Sequence, residues 1–168
     1  MDNQQINLRT IEERDLVSLR KNADNIKVSK FLADSFPNPY TVIDAENWFL
    51  FCQILPKYTQ QIIEYNGEVI GGIGINIQKD IYKKTGEIGF WLAEDFWNKG
   101  IMTYCLKKYL VTIQKEYSLN RIYGRVFADN IGSINVLIKN GFTFKCVLSK
   151  EIVKCDQVYD ALLYDINL

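Results

Sequence analysis

An apolar, strand-like run from Glu87 to Leu92, a turn through Gly100 and a helical run from Ile101 to Tyr117 follow one another without a linker. This juncture constrains the fold more than any other part of the chain. A strand that turns through glycine into a helix presents unpaired backbone N–H groups at the positive end of the helix dipole. The segment Phe96-Trp-Asn-Lys-Gly-Ile-Met-Thr103 is therefore either a seat for a phosphate or an ordinary turn.

Around that juncture the periodicities spell out an order of elements. Ile6–Thr10 alternates as a short opening strand, and Glu12–Asn22 and Asp24–Leu32 follow with helical spacing. The two prolines of Asp34-Ser-Phe-Pro-Asn-Pro-Tyr40 forbid helix, and Thr41 is placed to cap the helix that carries Trp48 and Phe49. This aromatic loop is either a lid over the core or a wall of a substrate pocket. Gln60–Tyr65 and Glu68–Ile77 flank Asn66-Gly67, a tight-hairpin dipeptide. Lys79–Lys84 is a charged excursion before the strand Thr85–Leu92. After the long helix come strand Arg121–Phe127, helix Ser133–Asn140, and strands Phe142–Val153 and Val158–Asn167. Antiparallel strands thus lead into a strand–helix–strand unit whose two strands run parallel.

Composition sets limits. The 168 residues, 48% of them apolar, suffice for one domain with its own core. Twenty basic residues balance twenty acidic ones, so no global field attracts nucleic acid or an anionic membrane. Met1–Thr10 lacks a secretory apolar core and no apolar run is long enough to span a bilayer, so the default expectation is a cytoplasmic protein. There is no histidine, which removes His-based hydrolase chemistry and the commonest nitrogen ligand for a metal. Cys52, Cys105, Cys146 and Cys155 form no Cys-x-x-Cys pair and read as small core residues.

A second segment, Asn130-Ile-Gly-Ser133 continuing to Gly141-Phe142, lies one strand beyond the first. Together the two resemble the coenzyme A-binding motifs of the GCN5-related N-acetyltransferases: Gln/Arg-x-x-Gly-x-Gly/Ala, then Asn-x-x-Ser/Ala followed by Gly-Phe. Leu8-Arg9, Phe36-Pro-Asn-Pro-Tyr40, Gly89-Phe-Trp-Leu92, Trp97-x-x-Gly100, Ser133, Tyr159-Asp160 and Tyr164 resemble the branch that acetylates protein amino termini. The resemblance implies one domain over residues 1–168, of α/β class, with a mixed, strongly twisted sheet of about seven strands and about four helices. It implies acetyl-coenzyme A as cosubstrate, no metal, and an amine acceptor, either a protein amino terminus or a small molecule. A non-catalytic acyl-coenzyme sensor is the rival from another class. The Trp and Tyr content leaves a homodimer open.

The same resemblance distributes roles. The main chain of Phe90, Trp91 and Leu92 would hold the pantetheine arm and offer an N–H to the thioester oxygen. Trp97, Asn98, Lys99, Gly100, Ile101, Met102 and Thr103 would form the pyrophosphate seat. Trp97 and Met102 stand where the family has Gln/Arg and Gly/Ala, and Trp97 either contacts coenzyme or packs. Asn130 either caps its helix or touches the coenzyme arm. Ser133 either caps its helix or serves the departing thiolate in place of the family's tyrosine, whose position holds Leu137. Glu87, with a carboxyl raised toward neutrality beside aromatic rings, is the leading base; water and Glu151 are the alternatives. Phe36 and Tyr40 would contact the acceptor, and Asp34, Asp44 and Glu46 either suit a cationic one or are simply solvated surface acids.

Overall fold

The ladder between the fourth and fifth strands is only three residue pairs long, and the rest of the sheet is arranged around that short seam. The computed structural model describes residues 5–168; residues 1–4 of the polar amino-terminal stretch lie outside it. Its elements are β1 (Ile6–Arg9), α1 (Leu16–Ala23), α2 (Ile26–Ser29), α3 (Val42–Ile54), β2 (Gln60–Tyr65), β3 (Glu68–Ile77), β4 (Thr85–Leu92), α4 (Ile101–Tyr117), β5 (Arg121–Phe127), α5 (Ile131–Lys139), β6 (Thr143–Lys154) and β7 (Gln157–Asn167). One sheet of seven strands runs in the order β1-β2-β3-β4-β5-β7-β6. Among the described residues only the β4–β5 pair is parallel. The α/β class, the mixed sheet and its seven strands therefore agree with the expectation.

Local chemistry explains the element ends. Asn66 and Gly67 both take positive φ, 51° and 80°, and close the β2–β3 hairpin. Thr41 caps α3 and exchanges hydrogen bonds with Asp44, its capping-box partner. Among the described residues the α-helices number five, close to the about four expected, and the early ones are shorter than their periodicity suggests. Asp15 accepts from the Glu12 N–H at 2.8 Å and holds a 3₁₀ turn over Glu13–Asp15, so α1 begins only at Leu16. Asn25 sits extended as the cap of α2, accepting from the Lys27 N–H at 2.8 Å, which bars the helix from starting at Asp24.

Helices cover both faces of the sheet. On one, α4 sets Leu106, Tyr109 and Ile113, all fully buried, against Ile73, Ile75 and Ile122. Burying each of these large apolar side chains contributes about 1.5–3 kcal/mol. On the other, α1 and α3 bring Leu19, Ala23, Ala45 and Cys52 onto Ile62 and Val69. Two of the four thiols do not match the core reading: Cys146 on the outer strand β6 and Cys155 in the β6–β7 turn are exposed. Burial pushes the other two thiols, Cys52 and Cys105, up to about 12. Among the described residues no helix is long and apolar enough to cross a membrane, and no His, Cys, Asp or Glu group is arranged to hold a metal ion.

Candidate functional site

Glu87 is the last residue of β4 to pair with β5, opposite Tyr123, whereas on its other edge β4 stays paired with β3 as far as Leu92. The Gln78 N–H donates to the Thr85 carbonyl at 2.9 Å and the Ala93 N–H to the Ile70 carbonyl at 2.8 Å. These bonds set the phase: odd-numbered residues of β4 turn their main chain to β3, and even-numbered ones turn it toward β5. Beyond Glu87 the N–H and C=O groups of Phe90 consequently face a gap. The Leu92 carbonyl is already taken, by the Trp97 indole N–H at 2.6 Å.

The start of α4 lies beside this gap. Asn98 and Gly100 take φ of 59° and 76°, and the first intrahelical bond runs from the Tyr104 N–H to the Gly100 carbonyl at 3.0 Å. The N–H groups of Ile101, Met102 and Thr103 thus precede the ladder, with no acidic side chain in that turn. The side chains of Ile101 and Met102 are 1% and 6% exposed and belong to the core. Met102 in place of the family's Gly or Ala therefore leaves the main-chain donors intact.

Every residue assigned to coenzyme binding from the sequence, except Lys99, lines one cleft of about 530 Å³. Lys99 departs because its ammonium donates to the Asp95 carbonyl at 2.6 Å and leans over the Phe96 ring. Asn130 is the cap of α5, accepting from the Ser133 N–H at 3.1 Å, which starts the helix at Ile131 rather than Ser133. Ser133 sits in that first turn and lines the cleft. Asn140 donates to the carbonyls of Thr103 and Val136 at 3.2 and 2.9 Å, fastening α5 to the first turn of α4. Leu137 is 2% exposed, lies in the core and does not line the cleft.

A second cavity, about 710 Å³, adjoins the cleft and shares Phe31, Leu32, Phe90 and Trp91 with it. Phe36 stacks against Tyr40 and Trp91 with ring centroids 4.9 and 5.3 Å apart, so the aromatic loop both packs on the core and walls this pocket. Burial, with Asp44 and Cys52 nearby, pushes the Tyr40 phenol up to about 12, so it is neutral at physiological pH.

Glu87 has one aromatic neighbour, the Tyr123 hydroxyl that donates to it at 3.4 Å, and an ionic partner that the sequence did not reveal. Its two oxygens accept from Arg125 at 2.7 and 2.9 Å, and Arg125 also donates to Glu151 at 3.1 Å. The Glu87 bonds, opposed by burial, hold the guanidinium above its ordinary value. Glu151 reaches Arg125 because β6 bulges where Leu148 pairs with Ala161 but Ile152 with Tyr159. Beyond the bulge, the Lys154 ammonium donates to the Leu32 carbonyl at 2.6 Å and to Asp34 at 3.2 Å, closing the rim. The three acids that would suit a cationic acceptor thus separate. Asp34 lines the pocket but is paired, Asp44 is committed to its capping box, and Glu46 lies outside the lining.

The chain belongs to the acetyltransferase (GNAT) domain family, whose model matches residues 5–143. It is 31% identical over 102 residues to a ribosomal-protein-serine acetyltransferase of Escherichia coli, and 29% identical over 99 residues to the uncharacterised N-acetyltransferase YoaA of Bacillus subtilis. Those matches take in 60% and 59% of this chain but only 53% and 55% of the relatives, about half their length. In fold it resembles RimL, the ribosomal L7/L12 alpha-N-protein acetyltransferase solved with coenzyme A. The TM-score is 0.86 at 19% identity, covering 98% of this chain and 94% of that one.

Proposed function

We propose that this protein is an N-acetyltransferase that moves an acetyl group from acetyl-coenzyme A to the amino terminus of a protein. The observation that carries the reading is the parting of β4 and β5 after three pairs. It leaves Phe90 main-chain groups unpaired beside the free N–H groups of α4, in a cleft that opens onto a second pocket. Family membership supports the chemistry, and the name of the Escherichia coli relative supports the class of acceptor.

Acetyl-coenzyme A brings an activated acyl group; the chain's own residues bind, orient and move protons. The N–H groups of Ile101–Thr103 hold the pyrophosphate, and Phe90 holds the pantetheine arm as a neighbouring strand would. A main-chain N–H of the same stretch faces the oxygen on which charge grows. Ser133 donates to the departing sulfur. Glu87, directly or through a water, takes the proton from the amine.

Calorimetry with acetyl-coenzyme A, followed by free-thiol release across peptides and small amines, tests this. Binding with peptide-dependent thiol release is the expected result. Release with small amines alone moves the acceptor class, tight binding without release assigns a sensor, and no binding refutes the reading.

A further inference from the structure

Three rungs of the β3–β4 ladder floor the second pocket: Asn76 opposite Glu87, Gly74 opposite Gly89, and Gly72 opposite Trp91. Side chains at these positions leave the sheet on one face. Two of the glycines are explained by what covers them. A Cβ on Gly74 would lie 2.1 Å from the Gln60 side chain, and one on Gly72 would lie 2.7 Å from the Trp91 indole nitrogen.

Gly89 is different. A Cβ there meets nothing within 4 Å, and its φ lies outside the left-handed region. Neither packing nor backbone geometry asks for glycine, and in a strand interior glycine is otherwise a weakness. What lies above it is the cavity itself. The opening is bounded on one side by Glu87 with Arg125, and on the other by Trp91 braced by Phe36. Glu87 and Trp91 stand about 13 Å apart along the strand. The next residue, Phe90, reaches the donor cleft.

We propose that Gly89 is a specificity-determining residue, a bare stretch of sheet over which an extended acceptor chain lies while its amine reaches the cleft. This rests on the acetyl-transfer reading. A peptide needs that floor along its length; a two-carbon amine does not.

The test compares wild type with Gly89→Ala and Gly89→Leu, using acetyl-coenzyme A with hexapeptides bearing free amino termini and with ethylamine. Calorimetric affinity for acetyl-coenzyme A stays within about twofold, because Gly89 does not line the donor cleft. For peptides kcat/KM falls several-fold with Ala and about 100-fold with Leu, whereas for ethylamine it falls at least about tenfold less. Parallel losses for both acceptors, or unaltered peptide turnover in Gly89→Leu, overturn the proposal while leaving acetyl transfer standing. A wild-type protein that releases no thiol with any amine removes the reading and the proposal together.

Discussion

The indole N–H of Trp97 donates to the carbonyl oxygen of Leu92 at 2.6 Å, occupying the acceptor nearest the mouth of the β4–β5 gap. The bond fixes where the free main chain of β4 ends and ties the loop before α4 to the strand. Trp97→Phe keeps the ring and deletes the donor. It is expected to cost about 1 kcal/mol of stability and to weaken acetyl-coenzyme A binding about fivefold, read by urea unfolding and calorimetry.

Gly72→Ala and Gly89→Ala differ by one methyl at neighbouring rungs, yet their stabilities should diverge. The methyl at 72 intrudes on the Trp91 indole, which Phe36 hems in, and overpacking of this kind costs about 1–3 kcal/mol. The methyl at 89 enters open space. Denaturation midpoints and tryptophan fluorescence should separate the two, with a shifted emission maximum only in Gly72→Ala.

Glu87 lies where β4 leaves β5, outside the donor cleft and inside the adjoining pocket. Removing a general base lowers turnover about 10²–10⁴-fold. On the proposed role of Glu87 as the base, Glu87→Gln should reduce kcat by at least about 100-fold with unaltered acetyl-coenzyme A affinity. A kcat within a few-fold of wild type would assign the proton to water instead.

Asp15 couples stability to pH. It is 2% exposed and accepts from Arg9 at 2.6 and 2.8 Å and from the Glu12 N–H at 2.8 Å. Burial works to raise its carboxyl, but these bonds outweigh burial and hold it below the ordinary value. The ionised form is the stabilising one, so its contribution is full above about pH 4, the unfolded value, and is lost as pH falls through the lower folded value. Asp15→Asn should cost about 2–3 kcal/mol at pH 7 and flatten the acid side of the stability curve, measured as urea midpoints from pH 7 down to pH 3.

Much of this architecture could be read from residues near one another in the chain. Asn66-Gly67 announces its hairpin, Gly100 marks the start of α4, and the apolar spacing between Ile101 and Tyr117 delimits that helix. The residues expected to bind coenzyme, all but Lys99 of which line one cleft, could be gathered for the same reason, because they are consecutive residues at strand and helix ends. Of the pocket beside it, Asp34, Phe36, Tyr40, Glu87 and Glu151 could be named, but not the cations that meet them. Arg125 meets Glu87 across 38 residues, and Lys154 meets Leu32 across 122, pairings that leave no local pattern. Bulges such as that before Ile152 decide which carboxylate reaches which cation, and alternation alone does not reveal them. The split role of the cysteines was hidden likewise, since only the sheet order shows that Cys146 sits on an outer strand.

A three-pair seam between β4 and β5 also has an evolutionary meaning. On the acetyl-transfer reading, recognition written into the path of the backbone is indifferent to most substitutions, so a donor half can be inherited almost unread while the opposite wall is rewritten. The fold itself persists at a TM-score of 0.86 where identity with the RimL structure has fallen to 19%.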